Sequence, residues 1–372
     1  MLFPACKTEF RFPRPTLVMG IVNVTPDSFS DGGRFAAEDS AVSRGLDLIQ
    51  QGAELLDIGG ESTRPDAAPV SLQEELDRVI PVIEALSTRC SVPISIDTSK
   101  PEVMRAAVAA GAVFINDVAA LRHEGAMAAA AELGVPVCLM HMPGNPRTMQ
   151  KEVHYDDVLV QVRQFLTERI FACEMAGISK KNLVIDPGFG FGKHLEHNLA
   201  LLANLAYFCE LGVPVLAGVS RKSMIGQITG RGVDARVSGS AAAAMLAAQN
   251  GAGIIRVHDV AETKDVLAVL AAVQAETPQQ IDSNEPIQQA SILKYSETRI
   301  LLVEDNEINQ DVIQLQLKQI GCLSDVARDG VEALEMYLKQ DYNLILTDCY
   351  MPNKDGYELT REIRSMPGQK AK

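Results

Sequence analysis

Eight short apolar runs, each followed by an amphipathic stretch, fill the first 275 residues and constrain the fold more than any other feature of the chain. Strands that alternate with helices predict parallel βαβ units. Eight such units over about 275 residues fit a closed (β/α)8 TIM barrel, an α/β fold, better than an open doubly wound sheet. The runs are LVMGIVNV (17–24), ELLDIGG (54–60), PISIDT (93–98), VFINDV (113–118), VPVCLMHM (135–142), NLVIDPG (182–188), VPVLAGV (213–219) and GIIRVHD (253–259).

Signals at the ends of the predicted helices agree with this layout. Pro101 stands where the first turn of a helix tolerates proline. Gly52, Gly111 and Gly251 follow helix-like stretches, where a residue that adopts the left-handed conformation commonly ends a helix.

The pattern changes after residue 275. Residues 276–298 are rich in Gln, Ser, Glu and Pro and have no apolar periodicity, which is typical of a linker. Residues 299–372 then contain three further βα units and a basic tail. We therefore expect a barrel over 1–275, a linker over 276–298 and a small α/β unit over 299–372.

Charge and composition exclude several classes of protein. Acidic residues exceed basic ones by 48 to 34, a net charge of −14, which argues against non-specific binding to nucleic acid or to an anionic membrane. No apolar run approaches the ~18 residues of a membrane span, and the start of the chain lacks the apolar core of a signal peptide. Seven cysteines without metal-site spacing indicate reduced thiols. We expect a cytoplasmic protein.

Catalytic side chains of a (β/α)8 barrel come from the carboxyl ends of its strands, and each run of this chain ends in polar residues. A single Asp after a strand is also a common helix N-cap, so only the joint pattern at one rim predicts a site. The polar residues are, in strand order, Asn23; Asp57 with Glu61, Thr63 and Arg64; Asp97; Asn116 and Asp117; His141; Asp186; Ser220, Arg221, Lys222 and Ser223; and Arg256 and His258.

Two neighbouring sequence features are weaker evidence for a functional site. GFGFGK (188–193) lacks the spacing and the Ser/Thr of a Walker loop, so it is a weak phosphate-loop signal. His194 and His197 lie three residues apart without a nearby acid, which favours a solvated helix face over a metal site.

The rim residues fall into two chemical halves. One half suits a flat heterocycle with several hydrogen-bonding atoms, and it comprises Asp97, Asn116, Asp186 and Lys222. The other half suits a phosphate or diphosphate, and it comprises Asn23, Thr63, Arg64, Arg256 and His258. Asn23 also offers a hard oxygen to Mg²⁺, which shares its ligands with phosphates. Together the halves predict displacement of diphosphate as a leaving group.

The motifs of this rim resemble those of the dihydropteroate synthase family, in the expected order and over nearly the whole first unit. They are MGIVNVTPDSFSDGG (19–33), DIGGESTRPDAAPVS (57–71), SIDTSKPEV (95–103), IND (115–117), DPGFGFGK (186–193), SRKSMIG (220–226) and RVHDV (256–260). The resemblance implies a transferase of folate biosynthesis that joins 6-hydroxymethyl-7,8-dihydropterin diphosphate to p-aminobenzoate and releases diphosphate with the help of Mg²⁺. It also implies a homodimer.

The resemblance further implies a role for each rim residue. The pterin would be bound by Asp97, Asn116, Asp186 and Lys222, the diphosphate by Asn23, Thr63, Arg64, Arg256 and His258, and Mg²⁺ by Asn23. The p-aminobenzoate and sulfonamide subsite would comprise Phe29, Arg64, Pro65, Phe191, Lys222 and Ser223. Asp97, Lys222, Arg256 and His258 would be catalytic.

Sulfonamide sensitivity is a further expectation. Phe29 and Pro65 are retained, and SIDTSKPE runs without an insertion, so we expect a drug-sensitive enzyme. Asp66 departs from the Gly that the family more often has after STRP, which affects the expected shape of the second loop.

The last unit resembles a response-regulator receiver domain of the hybrid-kinase type, a flavodoxin-like fold. LLVEDNEINQ, DGVEAL and LILTDCYMPNKDGYE carry the resemblance, which implies an acidic Mg²⁺ pair, Glu304 and Asp305, and a phosphoacceptor, Asp348. Strands 4 and 5 of the family pattern are missing, with the Ser/Thr and Lys that complete its site. We expect an incomplete receiver domain without a working switch. The alternative function is a regulatory protein that binds a pterin without turnover and uses the receiver unit as its output.

Overall fold

The structure is a computed structural model that describes residues 2–3, 8–9, 15–24, 33–62, 68–144, 149, 153–276, 298–306, 309–310, 313–314, 317–318, 322–348 and 351–366. The chain divides into two compact units, Met1–Thr277 and Pro278–Lys372. Within the described residues no helix is both long enough and apolar enough to cross a membrane.

Eight parallel strands form the barrel of the first unit, as the sequence predicts. The strands are β3 (Leu17–Asn23), β4 (Leu55–Gly59), β5 (Ile94–Asp97), β6 (Phe114–Asp117), β7 (Val137–Met140), β8 (Leu183–Asp186), β9 (Leu216–Ala217) and β10 (Ile254–Val257). Their order in the sheet is β8-β7-β6-β5-β4-β3-β10-β9. A parallel bridge between Ile185 and Val215 joins the two ends of the sheet, and the Ile185 N–H donates to the Pro214 carbonyl at 3.0 Å.

A short antiparallel hairpin, which the sequence analysis did not predict, precedes the barrel. It pairs β1 (Leu2–Phe3) with β2 (Thr8–Glu9). Strands of two residues are too short to produce a recognisable period in the sequence.

Helices follow the strands on the outside of the barrel. They are α1 (Gly33–Gln50), α2 (Leu72–Arg89), α3 (Pro101–Ala110), α4 (Ala126–Leu133), α5 (Val158–Met175), α6 (Leu195–Ala203), α7 (Ala206–Cys209), α8 (Ser223–Thr229), α9 (Val237–Gln249) and α10 (Val260–Glu276), with 3-10 turns at Lys180–Asn182 and Val233–Ala235. Pro101 begins α3, and Gly52, Gly111 and Gly251 have φ values of +102°, +117° and +98°, so each ends its helix as predicted.

Two apolar layers hold the barrel together because successive residues of a strand point to opposite faces. Val18, Leu56 and Ile255 pack outward against the helices in the larger cluster. Leu17, Leu55 and Ile254 belong to a separate cluster inside the barrel. The interior is therefore filled by side chains at its lower level, and the carboxyl ends of the strands lie above them.

The second unit contains the strands β11 (Arg299–Val303), β12 (Leu323–Ala327) and β13 (Leu344–Thr347), with helices α11 (Gly330–Lys339) and α12 (Gly356–Ser365). The three strands form a parallel sheet, as the sequence predicts, and their order in it is β12-β11-β13. Leu301, Val303, Ala327, Ala333 and Leu359 form its core. The helix predicted over NQDVIQLQLKQIG lies only partly within the described residues, and residues 309–310, 313–314 and 317–318 of it are helical.

Candidate active site

The inward-facing positions of the strands change from apolar to polar near the carboxyl end of the barrel. Ile254 lies in the inner cluster, and two positions later on the same face comes Arg256. The same step leads from Leu55 to Asp57 and from Val184 to Asp186. One rim of the barrel therefore carries a layer of polar side chains directly above the apolar interior.

Arg256 is the centre of this layer. Its Nε donates to Asp57 Oδ2 at 2.5 Å and its Nη2 donates to Asp97 Oδ2 at 2.8 Å. Asn116 Nδ2 donates to the same Asp57 oxygen at 3.0 Å. Asp57 is fully buried, and its Oδ1 has no hydrogen-bond partner among the described residues. One guanidinium is therefore shared by two carboxylates, and one buried carboxylate oxygen is left to accept from a ligand.

This sharing affects the proton affinity of the groups. Burial raises the pKa of Asp97 to about 7, since the neighbouring Asp57 adds to the effect of burial and Arg256 only partly offsets it. The same two carboxylates raise the pKa of Arg256, which stays a cation. Asp97 is therefore the member of the network that can change its charge near neutral pH.

The polar layer surrounds the open carboxyl end of the barrel, which we call the mouth. Asp186 and Lys222 lie on the other side of this mouth. The Gly188 N–H donates to Asp186 Oδ1 at 2.7 Å, and burial raises the pKa of this carboxyl. Burial and the charge of Arg256 lower the pKa of Lys222 to about 8, against the opposite influence of Asp186. Lys222 Nζ also lies 4.1 Å from the centre of the Phe191 ring, a cation–π contact.

The glycine loop after β8 positions this pair. A Cβ at Gly188 would come within 1.9 Å of the His141 carbonyl oxygen, and one at Gly192 within 2.3 Å of Pro143. Both residues also have positive φ, +74° and +59°, so only glycine fits easily. These glycines serve close packing of the loop against β7, which explains the motif without a bound phosphate.

Lys193 holds the loop from below. The residue is 4 % exposed, and its Nζ donates to the Gly188 carbonyl at 2.9 Å and to the Phe191 carbonyl at 3.0 Å. Nζ also lies 2.9 Å from His141 Nδ1. Burial and the charge of Lys193 lower the pKa of His141 to about 2, so its imidazole is neutral and Nδ1 can accept.

A cavity of about 440 Å³ opens beside the Arg256 network. Its lining includes the two predicted anion-site residues Asn23 and His258. Ser220 Oγ lies 3.0 Å from His258 Nδ1 and accepts from the His258 backbone N–H at 3.2 Å. Because burial and the charge of Arg256 lower the pKa of His258 to about 4, the ring is neutral at pH 7. With the Ser220 hydroxyl assigned as the donor to Nδ1, the single proton of the neutral ring lies on Nε2.

The described members of the predicted site therefore converge on one mouth. Of the heterocycle half, Asn116 and Asp97 are connected through Asp57 and Arg256, and of the anion half, Asn23 and His258 line the adjoining cavity. Arg256, predicted for the anion half, lies between the two. Ser223 is exposed and begins α8 next to Lys222. The predicted residues Phe29, Thr63, Arg64 and Pro65, and the departure at Asp66, lie outside the described residues.

Other polar residues of the rim have structural partners. Asp117 accepts from the N–H groups of Ala119 and Leu121, at 2.8 and 2.7 Å, and from the Ser99 hydroxyl. The His194 N–H donates to His197 Nδ1 at 3.2 Å, so this pair caps α6. These residues therefore cap helices or stabilise turns, which is the structural alternative to a functional role for any single polar residue of the rim.

Sequence reasoning missed several residues of the mouth. The sequence predicts Asp57 only as a strand-end residue, although an Asp inside the buried run ELLDIGG is a detectable signal. Lys193 stands in the motif DPGFGFGK without a predicted role of its own, and no sequence motif includes Arg44, which also lines the cavity. Arg44 belongs to a helix, and nothing in its local sequence shows that it faces the mouth.

In the second unit, the three predicted acidic residues also come together. The carboxylate oxygens of Glu304, Asp305 and Asp348 lie within 4.8 Å of one another. Glu304 is buried, and Asn309 Nδ2 donates to its Oε1 at 2.9 Å. Residues 300–371 match the response regulator receiver domain model.

Fold and site together define a (β/α)8 enzyme of the pterin-binding class, and residues 19–258 match the family model described as pterin binding enzyme. The Escherichia coli K12 dihydropteroate synthase is 56 % identical over 255 residues, covering 68 % of this chain and 90 % of the relative. The chain belongs to the dihydropteroate synthase family.

Solved structures agree with this membership. The Xanthomonas albilineans dihydropteroate synthase with 4-aminobenzoic acid is 62 % identical, with a TM-score of 0.67, and the match covers 70 % of this chain and 93 % of that one. The Yersinia pestis dihydropteroate synthase with a sulfonamide drug complex is 51 % identical, with a TM-score of 0.68, and covers 70 % and 95 %. Both matches cover nearly the whole of the solved chain.

Proposed function

We propose that the chain catalyses the condensation of 6-hydroxymethyl-7,8-dihydropterin diphosphate with p-aminobenzoate to give 7,8-dihydropteroate and diphosphate. One observation carries this proposal: Arg256, bound to Asp57 and Asp97, separates a carboxylate-rich mouth from a cationic cavity. A pterin diphosphate has the same two parts, a heterocycle with N–H donors and an anionic tail, joined at the carbon that reacts.

The carboxylates of the mouth support the proposal that the pterin ring binds in the heterocycle half of the site. Asp57 Oδ1 is buried without a partner among the described residues, and a buried acceptor of this kind gains most from a ligand N–H. Asp97 and Asp186 offer further acceptors, and Lys222 offers a donor for a ring nitrogen or carbonyl. Asn116 is tied to Asp57, so in this proposal it orients that carboxylate toward the ring.

The chemical step follows from these charges. The bond between the pterin methylene carbon and the diphosphate oxygen breaks, and its electron pair leaves with the diphosphate. The carbon is left as a cation stabilised by the pterin, and the ionised Asp97 carboxylate stabilises it electrostatically. The amine of p-aminobenzoate then forms the new C–N bond and gives up one proton to solvent water. Positioning and charge stabilisation therefore account for the rate without a strong base.

The lining of the cavity supports the proposal that the diphosphate leaving group binds there. His258 Nε2–H and the Asn23 side chain are both part of its lining, and neither carries a negative charge. Asn23 would hold Mg²⁺ by its amide oxygen. This one hard oxygen would suit an ion that takes its remaining ligands from phosphates and water. When bound, Mg²⁺ would neutralise charge on the diphosphate.

The p-aminobenzoate subsite is proposed over Phe191, Lys222 and Ser223. The Phe191 ring is a flat apolar surface, 8 % exposed, and Lys222 adds a cation for the benzoate carboxylate. Phe29, Arg64 and Pro65 would complete the subsite. A sulfonamide has the same aniline part, so we propose competitive inhibition by sulfonamides; the Yersinia pestis relative was solved as a sulfonamide complex.

A diphosphate-release assay tests the function directly. Purified full-length protein with Mg²⁺ should release diphosphate only when both the pterin diphosphate and p-aminobenzoate are present, with dihydropteroate formed in equal amount by chromatography. Binding of the pterin without release would instead favour the regulatory alternative. Adding sulfamethoxazole should raise the KM for p-aminobenzoate and leave kcat unchanged.

We also propose a cytoplasmic homodimer. The family resemblance supports the dimer, and light scattering of the purified protein tests it. Reduced thiols support the compartment, since the described cysteines are all free; they are Cys90, Cys138, Cys173, Cys209 and Cys322.

A further inference from the structure

Arg44 lines the cavity together with Asn23 and His258, although it belongs to helix α1 and not to a strand end. The residue is half-buried. Its Nη2 donates to the backbone carbonyl of His258 at 2.7 Å, and the imidazole of His258, which is proposed for the leaving group, lines the same cavity.

The charge of Arg44 is not compensated within the described part of the chain. Arg44 forms no ion pair there, and its hydrogen bond to His258 leaves most of its N–H donors unused. Arg221 on the same wall differs, because two of its nitrogens donate to Asp259 at 3.0 and 2.5 Å. Because no described carboxylate lines the cavity, Arg44 gives it a net positive charge in a protein of net charge −14.

We propose that Arg44 is a further diphosphate-binding residue, which contacts the terminal phosphate of the pterin diphosphate and of the released diphosphate. The inference rests on the proposed function. Asn23 and His258 stand at the strand ends near the barrel axis, whereas α1 lies in the outer layer. The phosphate farthest from the reacting carbon is therefore the one that reaches Arg44. A guanidinium binds such a group through charge-assisted, often bidentate, hydrogen bonds.

A purely structural role makes a different prediction. If Arg44 only tied α1 to the His258 carbonyl, its loss would lower thermal stability and affect both substrates alike. A diphosphate contact instead affects ligands that carry the diphosphate and leaves p-aminobenzoate unaffected. If Arg44 contacts the diphosphate, the affinity for diphosphate should depend more on the charge of the side chain at position 44 than on its shape.

The test measures binding of inorganic diphosphate with Mg²⁺ by calorimetry, on full-length wild type, Arg44→Met and Arg44→Lys. Arg44→Met should weaken binding roughly tenfold and raise the KM for the pterin diphosphate by a similar factor, with the KM for p-aminobenzoate unchanged. Arg44→Lys keeps the charge and should recover most of the affinity. Arg105→Met is the matched control, because it removes the same charge from an exposed pair with Glu132 on the outer helices.

Unchanged diphosphate affinity in Arg44→Met, or an equal loss in Arg105→Met, would overturn the inference. A rise in the KM of both substrates with a lower melting temperature would likewise overturn it in favour of the structural tie. Failure of the proposed function is distinguishable, since it would show as a wild type that binds diphosphate without turnover. The calorimetric comparison of the variants remains valid in that case.

Discussion

The ion pair between Arg256 and Asp97 crosses the mouth of the barrel, with Arg256 Nη2 lying 2.8 Å from Asp97 Oδ2. The two residues belong to β10 and β5, which are separated in the sheet by β3 and β4. A bond of this span joins side chains from opposite parts of the rim. It places the cation of the network beside the carboxylate that the proposed reaction uses.

The first prediction is that Asp97→Asn and Lys222→Ala each lower kcat by about 10²–10³-fold while the barrel still folds. Asp97 ends β5 and Lys222 is the residue before α8, and neither belongs to the apolar core, so their loss removes charge and contacts without opening the core. Diphosphate release measures the rate, and circular dichroism measures the fold. Near-normal turnover in a folded variant would refute the assignment of that residue.

The second prediction concerns stability and follows from the raised pKa of Asp97, about 7 against an ordinary value of 3.8. Between these values the folded protein holds a proton that the unfolded chain has lost. The free energy of unfolding contributed by this group therefore falls as pH rises through that range. Asn cannot ionise, and Asp57 still pairs with Arg256, so Asp97→Asn should melt higher than wild type by several degrees at about pH 8.

Calorimetry at about pH 5 and at about pH 8 tests this sign. The difference in melting temperature between Asp97→Asn and wild type should grow toward the higher pH. Glu132→Gln is a suitable control, because it neutralises an exposed acid at a surface ion pair. A difference of the same size at both pH values would mean that Arg256 holds Asp97 ionised in the folded state, and it would refute the raised pKa.

Much of this fold and site can be predicted because two local patterns recur in the sequence: apolar runs that end in polar residues, and the two-residue period of a strand. The eight apolar runs predict the strands, and their polar ends predict the rim. The step of two from Ile254 to Arg256 and then to His258 also places both functional side chains on the inner face. These features are local, so one sequence is enough to detect them.

The contacts between distant elements could not be predicted in the same way. That Arg256 bonds Asp97 depends on which strands face each other across the barrel, and that Arg44 reaches the cavity depends on the rotation of α1. Lys193 donates mainly to backbone carbonyls. Because every residue has such a carbonyl, the amino-acid sequence does not reveal these partners. Chemistry that depends on tertiary placement is therefore visible only in the structure.

The third prediction uses the carboxylate next to Asp97. Asp57 raises the pKa of Asp97 by its charge, and it competes for Arg256. Asp57→Asn removes both effects, so the pKa of Asp97 should fall. The acidic limb of kcat/KM should then move to lower pH by on the order of one unit. The pH–rate profile checks this, and a limb that stays in place would exclude Asp97 as its source.

The last prediction concerns the support of the p-aminobenzoate subsite by Lys193. Lys193→Met keeps the apolar stem but leaves the Gly188 and Phe191 carbonyls without their donor in a buried site. Unmet buried acceptors cost about 1–3 kcal/mol each, so thermal denaturation should show a clearly lower melting temperature. Because Phe191 is then held less firmly under Lys222, the KM for p-aminobenzoate should rise severalfold, more than the KM for the pterin diphosphate. Lys264→Met, which removes an outer ion pair with Glu54, is the matched control and should change neither KM. An unchanged melting temperature in Lys193→Met would show that the loop does not depend on these bonds, and equal increases in both KM values would show that the support is not specific to the Phe191 side of the mouth.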